Sequence, residues 1–407
     1  MGEYLNILFL SETYYPHYGG AELASHLYSK MLGEKRHKIT VLTNRHKDEA
    51  EKSVSQNEVI YRLDLINELT PKYSTLSRID VLNSSFFKRL VNWSDLVYIP
   101  RYWFSAIPFV KKMGKPVIVH LHDYIPVCPL SNLYDASREE ICTRPNCSPQ
   151  CIWAAERYQE NSQYKAFAST ILNTTVGGQI GKLVSQADAV ICVSKKHRQV
   201  LLERAPHLKD KLHVVYNPMP EISNIELEGE DFGFFGGTNR LKGLNVLKNA
   251  LQKISKDKRP KVHSTQLKSK LHESELNKLK QTGIIPYSRL SRDDFNKMYG
   301  SIQTVIIPSI WHEPLPYVVA EAQLRGRMII ASNIGGIPEL VKGSEGVILC
   351  EPGNPTQLSE SIYKVMEMSY EDKLELGKQN RDNFSKRFSN EKNLKDFLKI
   401  VQSLASK

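Results

Sequence analysis

Two glutamates eight positions apart, Glu313 and Glu321, lie in the stretch TVIIPSIWHEPLPYVVAEAQLR at residues 304–325. An apolar strand, Thr304–Ile307, runs into Pro308-Ser309, and a short loop delivers Glu313 ahead of a helix starting near Pro316. Eight positions are roughly two helical turns, so the spacing places both carboxylates near one edge of the element. A helix N-terminus offers unpaired N–H groups and partial positive charge, which makes it a phosphate site. Leu315, Pro316, Tyr317 and Val318 form that terminus. A carboxylate beside a phosphate site and another inside it suit a nucleotide-sugar better than bare phosphate. The blander alternative is two solvated glutamates on an amphipathic helix.

Other segments could share this chemistry. Gly19-Gly20 follows the first strand and opens a helix, where glycine permits close backbone approach and free N–H groups. Phe234–Gly243 is the corresponding turn of the second half, and Lys242 there would neutralise a departing diphosphate. His122-Asp123 ends the buried strand Val117–Leu121, and His120 shares a face with His122. Asp293-Asp294 reads as dipole-complementing acids after the cap Ser291 rather than as metal ligands. No Asp-x-Asp occurs in a plausible place, so no catalytic metal is expected. Cys128, Cys142, Cys147 and Cys151 cluster without a C-x-x-C knuckle, leaving structural zinc, two disulfides or unrelated thiols open. Cys192 and Cys350 read as buried apolar residues.

The elements that must position these groups follow an α/β pattern. In the first half, strands are expected at Asn6–Ser11, Lys38–Thr43, Val59–Leu63, Leu96–Ile99, Pro116–Leu121, Ala189–Val193 and Leu212–Tyr216, with a helix over Ala21–Leu32. The polar-aromatic stretch Asp123–Trp153 interrupts that rhythm. After Asn217-Pro218-Met219-Pro220 and the acidic linker 221–231, strands recur at Phe232–Phe235, Lys261–Ser264, Gly283–Pro286, Thr304–Ile307, Met328–Ser332 and Gly346–Leu349. The lysine-rich stretch Lys256–Lys280 reads mainly as solvated helix and loop. The prediction is two doubly wound Rossmann-like domains facing each other across a cleft, with ligands at the carboxyl ends of the strands.

With 407 residues, two domains are expected. The 41% hydrophobic and 24% charged composition excludes a disordered chain. No run of eighteen apolar residues occurs, and Glu3 stands where a signal peptide carries basic residues, so a cytoplasmic location is expected. The net charge of +11 fits a diphosphate substrate or an anionic membrane face; no nucleic-acid-binding module accompanies it. The aromatic and basic stretch Lys88–Lys115 would suit docking on such a membrane, with core strand and helix as the equal alternative for much of it.

The run Pro308-Ser309, Glu313-Pro314-Leu315-Pro316, Ala320-Glu321-Ala322, Gly326 and Gly335-Gly336-Ile337-Pro338-Glu339 resembles glycosyltransferase family 4, retaining transferases of the GT-B fold. The resemblance extends more weakly over nearly the whole chain. It implies an N-terminal acceptor domain at 1–216, completed by the C-terminal helix 390–407, and a nucleotide-sugar donor domain at 217–389. It implies that Gly19 and Gly20 approach the donor phosphates, that Glu321 grips the ribose and that Glu313 holds sugar hydroxyls. His122 would hold a sugar hydroxyl or stabilise charge near the reacting carbon. The edge Gly283–Tyr287 would support the nucleobase through its backbone. Relatives usually carry Arg where this chain has Gly237, and Arg240 is the candidate replacement. The continuation Tyr124–Pro129 matches a subgroup with a cysteine-bearing loop after His-Asp.

The implied activity moves a sugar from a nucleoside diphosphate to a hydroxyl acceptor, a glycan or lipid-linked glycan precursor, without a cofactor. The departing phosphate would take the acceptor's proton, and domain closure would exclude water. A nucleotide-sugar epimerase of the same architecture and a non-catalytic scaffold are the rival readings.

Overall fold

The computed structural model describes residues 4–17, 19–64, 78–159, 162–222 and 225–405. Residues 223 and 224 of the acidic linker fall outside that set. The chain folds as two units, one of Met1–Met219 with Ser389–Lys407 and one of Pro220–Phe388.

The first unit is built on a sheet of β1 (Asn6–Ser11), β2 (Lys38–Asn44), β3 (Lys52–Val54), β4 (Glu58–Leu63), β5 (Leu96–Arg101), β6 (Val117–Leu121), β9 (Ala189–Cys192) and β10 (Leu212–Val214). Between β6 and β9 a separate two-residue-per-strand hairpin pairs β7 (Tyr134–Asp135) with β8 (Glu140–Ile141). The sheet order is β10-β9-β6-β5-β1-β2-β4-β3, parallel except for β3 against β4. β1 carries almost no polar side chain because both its faces are covered. One face packs into a cluster with Leu8, Leu10, Trp103 and Val119, the other into one with Ile7, Phe9, Tyr28 and Tyr98. The helix Asn390–Ala405 adds Leu394, Phe397, Ile400 and Val401 to that second cluster. Asn390 fixes the chain's return, accepting from the Met219 N–H at 2.6 Å and donating to its carbonyl at 2.7 Å.

The second unit holds β11 (Asp231–Phe234), β12 (Val262–Ser264), β13 (Ile284–Pro286), β14 (Ile302–Ile307), β15 (Met328–Ser332) and β16 (Val347–Cys350). Their order is β13-β12-β11-β14-β15-β16, all parallel. Strand order reverses beside the first strand of each sheet, at β1/β5 and at β11/β14. Loops leaving the carboxyl ends of such a pair diverge to opposite faces and open a crevice.

The expected strands are all present, with ends shifted by one or two residues. The antiparallel edge β3 and the hairpin β7–β8 were not anticipated, since two or three residues carry no periodicity. Of the two readings of Lys88–Lys115, core strand and helix holds for much of the stretch. Trp103, Phe104, Ile107 and Val110 are buried, because β5 and the short helix Ile107–Lys112 turn them into the core. The lysine-rich stretch Lys256–Lys280 contributes β12 to the sheet and the helix Glu273–Gln281 to the surface.

Candidate active site

The β11/β14 crevice is lined by two loops whose main chains touch. Asn239 caps the turn Arg240–Lys242 by accepting the Leu241 N–H at 2.9 Å. Gly243 follows in the left-handed region at φ 86°, and a Cβ there would lie 1.9 Å from the Pro308 carbonyl. Only glycine permits this approach. Ile310 N–H donates to the Leu241 carbonyl at 2.9 Å and ties the loops together.

That lock aims Lys242 at Glu313, with Nζ 2.6 Å from Oε1. The same oxygen accepts Ser309 Oγ and Trp311 Nε1, each at 2.9 Å. Lys242 Nζ also lies 5.5 Å from the Trp311 ring centroid, within reach of its π face. Glu313 is 3% exposed, and its carbonyl accepts the Gly336 N–H at 2.7 Å. Gly335, at φ 59°, passes so close that a Cβ would sit 2.2 Å from the Glu313 carbonyl oxygen. One carboxylate oxygen thus gathers three donors, and a cation is held beside the crevice.

Glu313 is not on the helix. The helix is Tyr317–Leu324, with Pro316 as its N-cap, so the eight-residue spacing to Glu321 is part loop and part helix. Pro316 supplies no side-chain cap, and Leu315 and Pro316 are buried behind the terminus while Tyr317 and Val318 are half-buried. Glu321 lies in the second turn; burial raises its carboxyl above the ordinary range, and Arg325 opposes that shift. Arg240 opens the short turn before Lys242 and is half-buried. Gly237 stands at φ 56°, a conformation that strains any arginine placed there.

Tyr287, after β13, belongs to a chain of polar groups. Its hydroxyl meets His263 Nδ1 at 2.9 Å, and His263 Nε2 meets Asp231 Oδ2 at 2.8 Å. Its N–H donates to the Ser264 carbonyl, and its own carbonyl accepts Leu267 and Lys268. Both main-chain groups of Tyr287 are therefore engaged, and a backbone contact to a base falls to its neighbours. Asp293 and Asp294 lie in the first turn of the helix Arg292–Gly300, capped by Ser291, as dipole-complementing acids would.

The β1/β5 crevice of the first unit holds a different set. The helix Gly20–Glu34 starts after Gly19, whose N–H donates to Glu22 at 2.9 Å. Glu22 also pairs with Arg101 at 2.9 Å, so a carboxylate already occupies part of that N-terminus. Glu12, just past β1, is raised to about 7 by burial, against the opposing pull of Arg101 and Arg78. His120 is fully buried with Nδ1 2.7 Å from the Tyr98 hydroxyl, and burial lowers it to about 3. The His122 ring lies 4.4 Å from that of His120, and burial holds it well below its ordinary range. A neutral imidazole at His122 can donate to or accept from a hydroxyl. Its Nε2 is buried and has no hydrogen-bond partner among the described residues. His197 braces the loop, with Nε2 3.0 Å from the Asp123 carbonyl.

Ser309, Trp311, Glu12, Glu22, Arg101 and His197 were not singled out from the sequence. Ser309 and Trp311 lie within the Glu313 motif itself, which is the signal that could have found them. The others meet only through strand order. The six cysteines are unbridged, and Cys192 and Cys350 are buried in β9 and at the end of β16.

Family models match both halves of the chain: "Glycosyltransferase Family 4" over residues 18–220 and "Glycosyl transferases group 1" over residues 217–383. An uncharacterized glycosyltransferase of Methanocaldococcus jannaschii is 24% identical over 294 residues, 65% of this chain and 70% of its own. Among solved structures, sucrose-phosphate synthase from Thermosynechococcus elongatus matches with a TM-score of 0.69 at 14% identity, over 99% of each chain. HepE of Anabaena, in complex with UDP-glucose, matches with a TM-score of 0.64 at 16% identity, over 99% of this chain and 100% of its own. With two parallel Rossmann-like sheets and both halves matched in sequence, the chain belongs to the glycosyltransferases of the GT-B fold.

Proposed function

We propose that the chain transfers a sugar from a nucleoside diphosphate to a hydroxyl of a glycan or lipid-linked glycan precursor, with retention at the anomeric carbon. The observation that carries the donor assignment is the Lys242–Glu313 pair at the β11/β14 reversal, beside a helix terminus with no side-chain cap. The UDP-glucose complex of HepE supports a nucleotide-sugar as the donor class.

Heterolysis of the anomeric C–O bond puts negative charge on the diphosphate and positive charge on the sugar ring. Lys242 meets the first charge, together with the N–H groups that open the helix Tyr317–Leu324. Glu313, relieved of part of its lysine, holds sugar hydroxyls and favours the developing cation. Glu321 takes the ribose hydroxyls. As the acceptor oxygen bonds to the anomeric carbon, the bond to the diphosphate breaks and the acceptor's proton passes to a phosphate oxygen on the same face. Gly19, Gly20 and neutral His122 serve the acceptor and sugar hydroxyls. No step calls on a metal or a cofactor. The reaction consumes a cytoplasmic nucleotide-sugar, and a lipid-linked acceptor would bring the enzyme to an anionic membrane face.

Thermal shifts with UDP, GDP and ADP on wild type and Glu321→Ala test the donor. One nucleotide should stabilise the wild type, with the shift reduced in the variant. Proton NMR of the first-formed product tests retention through its anomeric coupling. No response to any nucleotide or nucleotide-sugar, after removal of copurified ligand, would refute the donor assignment and favour a scaffold. Nucleotide-sugar conversion without transfer would favour an epimerase.

A further inference from the structure

The loop after His122-Asp123 brings its four cysteines to one place. Cys128 lies in a turn, its N–H donating to the Tyr124 carbonyl at 2.8 Å. Cys142 leaves β8, held by its N–H to the Leu133 carbonyl at 2.8 Å. Cys147 precedes the helix Pro149–Gln159, and Cys151 sits in its first turn. Sequence separations of fourteen, five and four residues are thereby folded onto the walls of a single cavity of about 10 Å³. That is about the room that one water or ion needs.

Three features of the walls point to a cation held by sulfur. Cys147 lies beside both Cys128 and Cys151, so three sulfurs are neighbours through one of them. A single disulfide at Cys147 would leave the other neighbour over, whereas one ion uses all three. The backbone N–H groups of Leu130, Asn132 and Leu133 are directed at Cys128, and that of Ala136 at Cys151. Such N–H donors offset thiolate charge and orient ligands around a metal. Arg144 and Arg204 line the same cavity, and Arg204 is fixed by the carbonyls of Arg144 and Cys142, each at 2.5 Å. Arg144 pairs with the buried Asp135 of the same wall at 2.9 Å, which leaves Arg204 to offset part of the net charge of a divalent ion bound by four thiolates.

We propose that Cys128, Cys142, Cys147 and Cys151 bind one zinc ion, which fastens the loop that follows His122. Among the described residues no group of three His, Cys, Asp or Glu side chains stands placed to hold a metal ion, so the thiols must turn inward on binding. Three of the thiols instead point to carbonyls, Cys142 to Arg144 and Cys147 to Ser148, each at 3.9 Å, and Cys151 to Tyr134 at 3.7 Å. Binding replaces those weak contacts: four S–H protons leave to solvent and four Zn–S bonds of ~2.3 Å form. Four protein ligands leave no open position, so the ion is structural and takes no part in sugar transfer.

The test measures metal content of the full chain purified under reducing conditions, before and after loading with zinc chloride and desalting. One tightly held zinc per chain is expected. Loading with cobalt instead should give the thiolate-to-cobalt charge-transfer band and the visible bands of a tetrahedral site. Cys147→Ser and, should that variant not fold, Cys142→Ser should lose the ion, while Cys350→Ser retains it. A chain that stays metal-free after loading, with these four thiols open to Ellman's reagent, would overturn the proposal. So would a non-reduced mass lower by two hydrogens for each bridge, which identifies disulfides.

Discussion

Lys242 and Glu313 neutralise each other, and on the proposed reading that resting pair is what a diphosphate must compete for. Lys242 is the more exposed partner, at 34% of its side chain against 4% for Glu313. It can turn toward a ligand while Glu313 stays held by Ser309 and Trp311. Lys242→Ala should lower kcat by ~10²–10³, the usual cost of one donor aimed at developing charge. Trp311 is the sole tryptophan of the second unit, so its fluorescence in a background lacking Trp93, Trp103 and Trp153 should report nucleotide binding directly. Glu12 yields a stability prediction with a definite sign. Its folded-state value of about 7 lies above the ordinary 4.5, so the folded chain binds this proton more tightly than the unfolded chain does. The contribution is fully present below pH 4.5 and is lost as pH rises through 7. Glu12→Gln should therefore flatten the pH dependence of the urea midpoint between pH 5 and 8, with its gain over wild type greatest at pH 8. A variant whose midpoint tracks wild type across that range would remove Glu12 from the account.

At the level of elements, legibility followed length and glycine placement. The parallel strands were readable because β1, β6, β14 and β15 are short, mainly apolar runs. Glu313 was readable because Pro308, Pro316 and Gly335-Gly336 punctuate its loop. Its ligation to Lys242 was not, since 71 residues separate the two and only the register of β11 on β14 brings them together. The Arg101–Glu22 pair was hidden for the same reason, across 79 residues. Pattern alone left Lys88–Lys115 open between a membrane face and the core, because its aromatic and basic residues alternate; Trp103 and Phe104 belong to the core. Exposed large apolar side chains instead occupy the packed helices Pro149–Gln159 and Gln163–Thr175: Tyr158 at 59%, Tyr164 at 89%, Phe167 at 60% and Ile171 at 50%. Tyr164, Phe167 and Ile171 recur at helical spacing along one stripe, with Arg157 and Lys165 on the same helices. If the acceptor is lipid-linked, this is the surface to approach it. The triple variant Tyr164→Ser/Phe167→Ser/Ile171→Ser should lose cosedimentation with phosphatidylglycerol vesicles and keep its nucleotide response. Equal cosedimentation of both proteins would detach this stripe from the membrane.

Across the whole molecule, the chain leaves its first unit at Met219 and re-enters it at Ser389, so its last helix stabilises the unit most distant in sequence. Phe397 is fully buried there, 4.7 Å from the Tyr28 ring and 5.5 Å from Tyr98. Phe397→Ala should cost ~3–5 kcal/mol in the first unit, read as a lower urea midpoint by Trp103 fluorescence. Nucleotide affinity, a property of the second unit on the proposed reading, should stay within about twofold. Among the described residues no helix is long and apolar enough to cross a membrane.

The contacts of Gly243 with Pro308 and of Gly335 with Glu313 join three loops, 235–243, 308–316 and 333–336, by main chain against main chain. A side chain can be exchanged without moving its neighbours; a backbone in such contact cannot. These loops therefore constitute one heritable cassette: a chimera that imports a relative's 308–316 loop alone will misalign Glu313, whereas one that imports all three can carry a new donor preference intact.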